Sequence, residues 1–191
     1  MYATLAEGGL REAMLKHAAT TTRLGRFEDG RKTLLRWLDS HPDDIGAELL
    51  LAENLTRSAD NEQAIARYES ILERFGEQAV VLNNLAWLYY QENDERAEQV
   101  ARRAMELLPD SGAPADTLGW ILLNAGQIEA ATRHLTRAET LSPRDPSIKY
   151  HLAVAYQRAG DLERAKRTIE QSLDLADFSE RPAAIALLQE L

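Results

Sequence analysis

The feature that most constrains the fold of this chain is an internal repeat of about 34 residues. Small residues recur in two columns, Ala18, Ala52, Ala86, Gly119, Ala153 and Gly30, Ala64, Ala97, Ala131, Ala165. Bulky apolar residues keep the same register between these columns. Repeats of this length are typical of stacked helix pairs, in which each unit buries its apolar side against the next.

Within each unit, apolar residues are three or four positions apart, which is the spacing of one face of an α-helix. Glycine, asparagine or aspartate interrupts this spacing near the middle of a unit, and proline closes three of the units. Each unit is therefore predicted to be a pair of helices that approach closely where the small residues lie. Trp37 falls in an apolar column and is predicted to lie in the core. One residue is missing from the register between Ala86 and Ala97, which predicts a shortened turn around Asn93.

The register predicts five helix pairs between a short leader and a final helix. Their expected boundaries are 11–44, 45–78, 79–111, 112–145 and 146–179. Residues 180–191 are predicted to form a helix that caps the apolar side of the last pair. Residues 1–10 are predicted to be a poorly ordered leader, because Gly8 and Gly9 interrupt a helix. The lack of a capping helix before the first pair suggests a fragment of a longer array.

Composition narrows the range of partners and activities. The chain has 22 Lys and Arg against 31 Asp and Glu, a net charge of −9, so a nucleic acid is not expected as a partner. It has no cysteine, its four histidines do not have the spacing of metal ligands, and no glycine-rich phosphate loop is present. No metal, cofactor or enzymatic activity is therefore predicted. No apolar run reaches the roughly 18 residues of a membrane span, so no membrane contact is expected from this segment.

The unit at 112–145 allows the repeat to be compared with a known family. Its pattern is Leu118-Gly119-x-x-Leu122, Gly126, Ala131, Leu135, Ala138 and Pro143. This pattern resembles the tetratricopeptide repeat (TPR). The resemblance implies an all-α fold, a right-handed α-solenoid of about five TPR helix-turn-helix repeats with a C-terminal capping helix. The unit at 11–44 departs most from the pattern, at His17, Thr21, Gly30 and Trp37.

A narrower resemblance rests on short phrases in the second half of the chain. Residues 83–87, 115–121 and 150–153 and the final Ala-Leu-Leu-x-x-Leu are similar to the C-terminal repeats of bacterial TPR lipoproteins of the PEP-CTERM, or exosortase, system. This resemblance implies a periplasmic or outer-membrane-attached assembly factor for exopolysaccharide export. Its signal peptide and lipidated cysteine would then precede this segment. Without the narrower resemblance, a cytoplasmic location is expected.

The TPR resemblance implies that the first helices of the units line a concave groove that binds a peptide or a partner protein. The residues predicted to line this groove are Glu53, Asn83, Trp87, Tyr90, Asp116, Trp120, Leu123, Tyr150 and Gln157. Trp87 and Trp120 occupy equivalent positions, and partly exposed aromatic rings beside amides are typical of peptide recognition. In the alternative interpretation, the two rings only pack against neighbouring first helices.

The same register also indicates which ligands do not fit. Co-chaperones with this fold hold a peptide carboxylate with lysines, and the corresponding positions here are Leu15, Leu49 and Asp116. The carboxylates of Glu53 and Asp116 instead favour a ligand with positive charge or hydroxyl groups. Two other functions stay open: self-association or spacing in an envelope complex through the uncapped first repeat, and direct contact of the aromatic rings with a glycan.

Overall fold

The computed structural model describes residues 2–191, with side chains from residue 8 onward, and these residues form eleven α-helices without a strand. The helices are α1 (Tyr2–Arg23), α2 (Phe27–Leu38), α3 (Ile45–Arg57), α4 (Asn61–Phe75), α5 (Ala79–Gln91), α6 (Ala97–Leu107), α7 (Gly112–Asn124), α8 (Ile128–Leu141), α9 (Pro146–Arg158), α10 (Leu162–Leu173) and α11 (Arg181–Glu190). Two consecutive helices fall inside each predicted interval from residue 45 to residue 179, whereas α1 begins before the interval 11–44 that holds α2.

The helices divide into two compact units, Met1–Val81 and Leu82–Leu191. In the first unit, α1 packs against α2 and α3, and α3 packs against α4. In the second unit, α7 packs against α6, α8 and α9, and α10 packs between α9 and α11. Contacts between α1 and α3, and between α7 and α9, bring first helices of successive pairs together. Neighbouring first helices therefore present their side chains side by side.

The turns inside the helix pairs follow one rule. Gly25, Gly126 and Gly160 have positive φ angles after their first helices, and Ala59 and Asn93 take the same conformation with φ of 58° and 56°. A left-handed residue at this point ends the helix.

The shortened turn that the register predicts is confirmed. One residue fewer separates Asn93 from the small residue Ala97 than separates Ala59 from Ala64. The helix α6 accordingly begins only at Ala97, after two residues in a turn conformation. The missing residue therefore lies after Asn93.

The columns of small residues lie where helices touch. Ala52, Ala86 and Ala153 have no exposed surface. A Cβ atom at Gly119 would lie 2.7 Å from Cγ of Leu135 on α8. The close approach predicted for these positions is confirmed, and so is the burial of Trp37.

The start of the chain differs from the sequence prediction. The helix α1 begins at Tyr2 and passes through Gly8 and Gly9, so the prediction of a poorly ordered leader at 1–10 is wrong for residues 2–10. Glycine in a helix costs about 1 kcal/mol relative to alanine, which weakens a helix without ending it. Arg11 of α1 donates two hydrogen bonds of 2.7 Å to Asp44, which connects α1 to the N-terminus of α3.

Candidate functional site

The first helices of the second unit carry few charges. The helix α5 has none, and α7 has only Asp116. The second helices α6, α8 and α10 each carry two arginines. Since α5 and α7 are almost free of charge, their partly exposed positions present aromatic rings and amides to solvent.

We call these positions, together with their counterparts on α9, the first-helix surface. It consists of Asn83, Trp87, Tyr90, Asp116, Trp120, Tyr150 and Gln157, all of which are partly exposed.

A cluster of side chains joins α7 to α9. The Nδ1 atom of His151 lies 2.9 and 3.0 Å from the two carboxylate oxygens of Asp116. The Trp120 ring lies against the His151 ring, with centroids 4.1 Å apart and planes inclined by 30°. The Tyr150 ring lies 6.1 Å from Trp120 and 5.7 Å from His151. We call Trp120, Tyr150 and His151 the aromatic cluster.

Helical spacing explains how the aromatic cluster forms. Asp116 and Trp120 are four residues apart on α7 and therefore lie on one face. Tyr150 and His151 occupy the facing side of α9. The His151 residue is only 5% exposed, whereas Trp120 and Tyr150 keep part of their surface in solvent. The Trp120 ring therefore rests on the buried ring of His151, which is paired with the partly exposed Asp116.

A second set of contacts fixes the other ends of the same two helices. Arg158, the last residue of α9, donates from Nη1 to the carbonyl oxygen of Leu123 at 2.9 Å and from Nη2 to Oδ1 of Asn124 at 3.2 Å. Asn124 in turn donates to the carbonyl oxygen of Trp120 at 2.9 Å. The last carbonyls of a helix lack partners within it, and a cation is favourable there. Arg158 therefore holds α7 and α9 together at this end.

A carboxylate borders the aromatic cluster at the opposite end of α9. Glu180, which precedes α11, accepts hydrogen bonds from Ser147 at 2.9 Å and Ser179 at 2.8 Å. Burial raises the pKa of Glu180, but the hydroxyl groups of Ser179 and Ser147 and the nearby His151 lower it more, and the net pKa is below its ordinary value. Burial and the negative charge of Glu180 raise the pKa of Tyr150. Glu180 is therefore ionised at neutral pH and acts on the aromatic cluster.

The part of the first-helix surface on α5 has its own aromatic pair. Trp87 and Tyr90 have ring centroids 5.6 Å apart. Tyr90 also lines a hollow of about 300 Å³ with Ile121 and Asn124 of α7. Four residues before Trp87, Oδ1 of Asn83 is buried without a hydrogen-bond partner among the residues described. A buried acceptor without a partner costs about 1–3 kcal/mol of stability.

The structure contradicts the prediction for one groove residue and places another in the first unit. Leu123 is 1% exposed, so the prediction that it lines a groove is wrong. It lies three residues after Trp120, on the side of α7 that is buried, whereas Asn124 is exposed. Glu53 is exposed on α3 of the first unit. Asp116, Trp120 and Tyr150 are brought together by the contacts with His151.

Two residues that complete the site were not among those predicted to line the groove. His151 follows the predicted Tyr150 on α9, and its pairing with Asp116 follows from a spacing close to one repeat period. Glu180 lies outside the repeat register, in the connection to α11, so the periodicity carries no signal for it. Both residues act on the predicted rings through tertiary contacts.

Two kinds of feature are absent from the described part of the chain. No group of three His, Cys, Asp or Glu side chains there is placed to hold a metal ion. No helix there combines the length and apolar character needed to cross a lipid bilayer.

Comparison with known proteins places these features in a class. Residues 122–191 match the family model described as a tetratricopeptide repeat. The TPR repeat-containing protein PA4667 of Pseudomonas aeruginosa is 26% identical over 164 residues, which are 84% of this chain and 28% of that protein. The chain therefore spans less than a third of the length of this relative.

Two solved structures share the fold at low sequence identity. TTC0263, a thermophilic TPR protein of Thermus thermophilus, superimposes with a TM-score of 0.79 and 21% identity, covering 93% of this chain and 98% of the other. YrrB, a TPR protein with an unusual peptide-binding site, superimposes with a TM-score of 0.64 and 16% identity, covering 93% and 89%.

The stacked helix pairs with small residues at their contacts define a helical-repeat protein. The chain has the α-solenoid fold of TPR proteins, and residues 122–191 match the TPR family model. The predicted all-α TPR fold is confirmed. TPR proteins are in general non-enzymatic scaffolds that bind other proteins or peptides.

Proposed function

We propose that this chain is a scaffold whose first-helix surface in the second unit binds an extended segment of a partner protein. The observation that carries the proposal is the partly exposed Trp120 ring, which rests on the buried ring of His151, the partner of Asp116. Aromatic rings dominate binding energy when they are held in a well-packed setting. The description of YrrB as having a peptide-binding site supports this reading of the fold.

The geometry suggests how such a segment is held. The Trp120 and Trp87 rings are ordered by their contacts with His151 and Tyr90, so little side-chain entropy is lost when a ligand covers them. Affinity then comes from a surface that is already formed.

A selection experiment tests this proposal without knowledge of the natural partner. A phage-displayed library of random 12-residue peptides is selected on the immobilised protein, and the affinities of the selected peptides are measured by fluorescence anisotropy. Trp120→Ala is expected to weaken binding at least about tenfold, the loss typical of an anchoring aromatic residue. Trp87→Ala gives a second variant, in case the first one unfolds.

The matched control is Leu162→Ala, which removes an exposed apolar side chain from the start of α10. Its peptide affinity is expected to equal that of the wild type. The proposal fails if no peptide is selected, or if folded Trp120→Ala and Trp87→Ala variants both keep full affinity. Dissociation of the protein from itself on dilution, measured by sedimentation, would favour self-association. A change in tryptophan fluorescence with polysaccharide but not with peptide would favour glycan contact.

We also propose, on the phrases at 83–87 and 115–121, that the chain acts in a bacterial envelope assembly for exopolysaccharide export. The similarity of these phrases to repeats of exosortase-system lipoproteins supports a periplasmic or outer-membrane-attached location. The test is the start of the full-length gene. A signal peptide followed by a lipidated cysteine is expected, and a start with neither would overturn the proposal.

A further inference from the structure

We propose that Glu180 and the aromatic cluster form a subsite for a lysine or arginine side chain of the bound segment. This inference rests on the proposed function, because it names the chemistry of one residue in the segment that the first-helix surface binds. It also specifies which carboxylate attracts the ligand, since the sequence pattern favoured Glu53 and Asp116.

The two carboxylates near the aromatic cluster differ in their partners. Both carboxylate oxygens of Asp116 contact the imidazole of His151. Among the described residues, Glu180 accepts hydrogen bonds from neutral donors, the hydroxyl groups of Ser147 and Ser179 and its own backbone N–H. Among the residues that the structure describes, no lysine or arginine forms an ion pair with Glu180. Its negative charge is therefore available to a ligand.

Glu180 is also not used to complete a helix end. Although it occupies the N-cap position of α11, its side chain makes no capping hydrogen bond. The N-terminus of α9 is capped by Asp145, which accepts from the backbone N–H groups of Ser147 and Ile148. The neighbouring Arg181 reaches away to the carbonyl oxygen of Leu173. Glu180 therefore caps neither α11 nor α9.

The rings beside Glu180 are suited to a cation. A guanidinium or ammonium group over the face of tyrosine or tryptophan gains about 0.5–2 kcal/mol, depending on how far it is desolvated. The chain already stacks cations in this way, since Arg96 lies 4.0 Å from the Tyr89 ring centre and Arg164 lies 4.6 Å from that of Tyr156. Within the described residues, no such cation covers Tyr150 or Trp120.

The charges at the two ends of α9 give the subsite a direction. Glu180 acts on Tyr150 from one end, and the positive Arg158 acts on it from the other. A basic side chain of the ligand is attracted toward Glu180 and repelled from Arg158. The bound segment is therefore expected to place its basic residue near the N-terminus of α9 and neutral or acidic residues near its C-terminus.

The experiment uses the peptides selected from the random 12-residue library. Enrichment of lysine or arginine at one position is expected. Glu180→Gln should weaken these peptides about fivefold, and replacing their basic residue with norleucine should weaken binding to the wild-type protein by a similar factor. The two changes together should weaken binding no more than either alone, because they remove the same interaction. Glu163→Gln, a change at an exposed carboxylate of α10, is the matched control and should have no effect.

The outcomes separate this inference from the function on which it rests. Peptides that depend on Trp120 but show no enrichment of basic residues, or that bind Glu180→Gln as tightly as the wild type, overturn the cation subsite and leave the scaffold proposal standing. Additive losses from the two changes also overturn it. Failure to select any peptide that depends on Trp120 or Trp87 overturns both.

Discussion

The two units of this chain hold their helices together by different means. In the first unit, Glu48 is 3% exposed and forms ion pairs with Arg67 at 3.1 Å and Arg74 at 2.8 Å, which join α3 to α4. Asn54 joins the same helix to Thr22 of α1 by a hydrogen bond of 2.8 Å. In the second unit, α7 and α8 meet through the bare backbone of Gly119 and the buried Leu135.

The difference shows that residues that depart from the repeat pattern contact one another, so that one change makes room for the next. A Cβ atom at Gly30 would lie 2.8 Å from Oγ1 of Thr22 and 3.0 Å from Nδ2 of Asn54. The glycine therefore makes room for a polar cluster that replaces apolar packing in the first unit. In the second unit, the apolar contacts leave α5 and α7 almost free of charge, and the aromatic rings lie on that background. The binding surface that we propose lies in the unit that keeps to the repeat pattern.

The largest effect is expected from Gly119→Val, which tests close packing in the second unit. The new side chain would overlap Leu135, which has no exposed surface and cannot move aside without shifting α8. Overpacking of this kind costs typically 1–3 kcal/mol and occasionally more, and we expect the free energy of unfolding to fall by about 3 kcal/mol. Urea denaturation followed by circular dichroism measures the change.

The matched control is Ala113→Val, an exposed position on the same helix. It makes a side chain of the same final size without a buried neighbour, so a small change in stability is expected. Equal losses from the two variants would mean that close approach at Gly119 is not what holds α7 to α8.

A smaller loss is expected from Glu48→Gln, which tests the ionic contact of the first unit. The change keeps the shape of the side chain but leaves Arg67 and Arg74 without a buried countercharge. Since both arginines reach solvent, we expect a loss of about 2 kcal/mol, below the 3–5 kcal/mol of a fully buried pair. Glu106→Gln, at an exposed ion pair with Arg103, is the control and should be silent. If Glu48→Gln leaves the free energy of unfolding unchanged, ionic contacts do not distinguish the first unit from the second.

Asp44→Asn tests the same unit through its pH dependence. Hydrogen bonds from Arg11, and also one from Trp37 at 2.8 Å, lower the pKa of Asp44 from 3.8 to about 2. A pKa that is lower in the folded state stabilises the protein above pH 3.8, and this contribution is lost as the pH falls through about 2. Because Arg11 is partly exposed, we expect the wild type to exceed the variant by about 1–2 kcal/mol at neutral pH.

Urea denaturation at several pH values measures this difference. Asparagine still caps a helix, so the cap of α3 is retained in the variant, whereas the bonds from Arg11 and Trp37 to Oδ2 are lost together with the charge. The difference between wild type and variant should narrow between pH 4 and pH 2. A difference that stays constant over this range would show that the charge of Asp44 is not responsible.

Most of the fold could be predicted from the sequence because the same pattern of residues recurs in each repeat. The helix pairs, the small contact residues and the short turn after Asn93 all follow from a register that recurs along the chain. The site was harder to predict, because α7 is buried on several sides and adjacent positions differ completely in exposure. Leu123 faces the core while Asn124 is exposed. No periodic pattern reveals that Glu180, in the connection to α11, accepts a hydrogen bond from Ser147, one turn before Tyr150 on α9.

The smallest effect is expected from Gly9→Ala, which contrasts the glycines of the two units. Nothing lies within 4 Å of a Cβ atom at Gly9, whereas the same atom at Gly119 would meet Leu135. Gly9 lies inside α1, so alanine should favour the helix and raise the free energy of unfolding, by about 0.5 kcal/mol this close to its end. Thermal denaturation followed by circular dichroism measures the gain. A loss of stability would show that α1 does not extend through Gly9, because only an irregular backbone there would make alanine unfavourable.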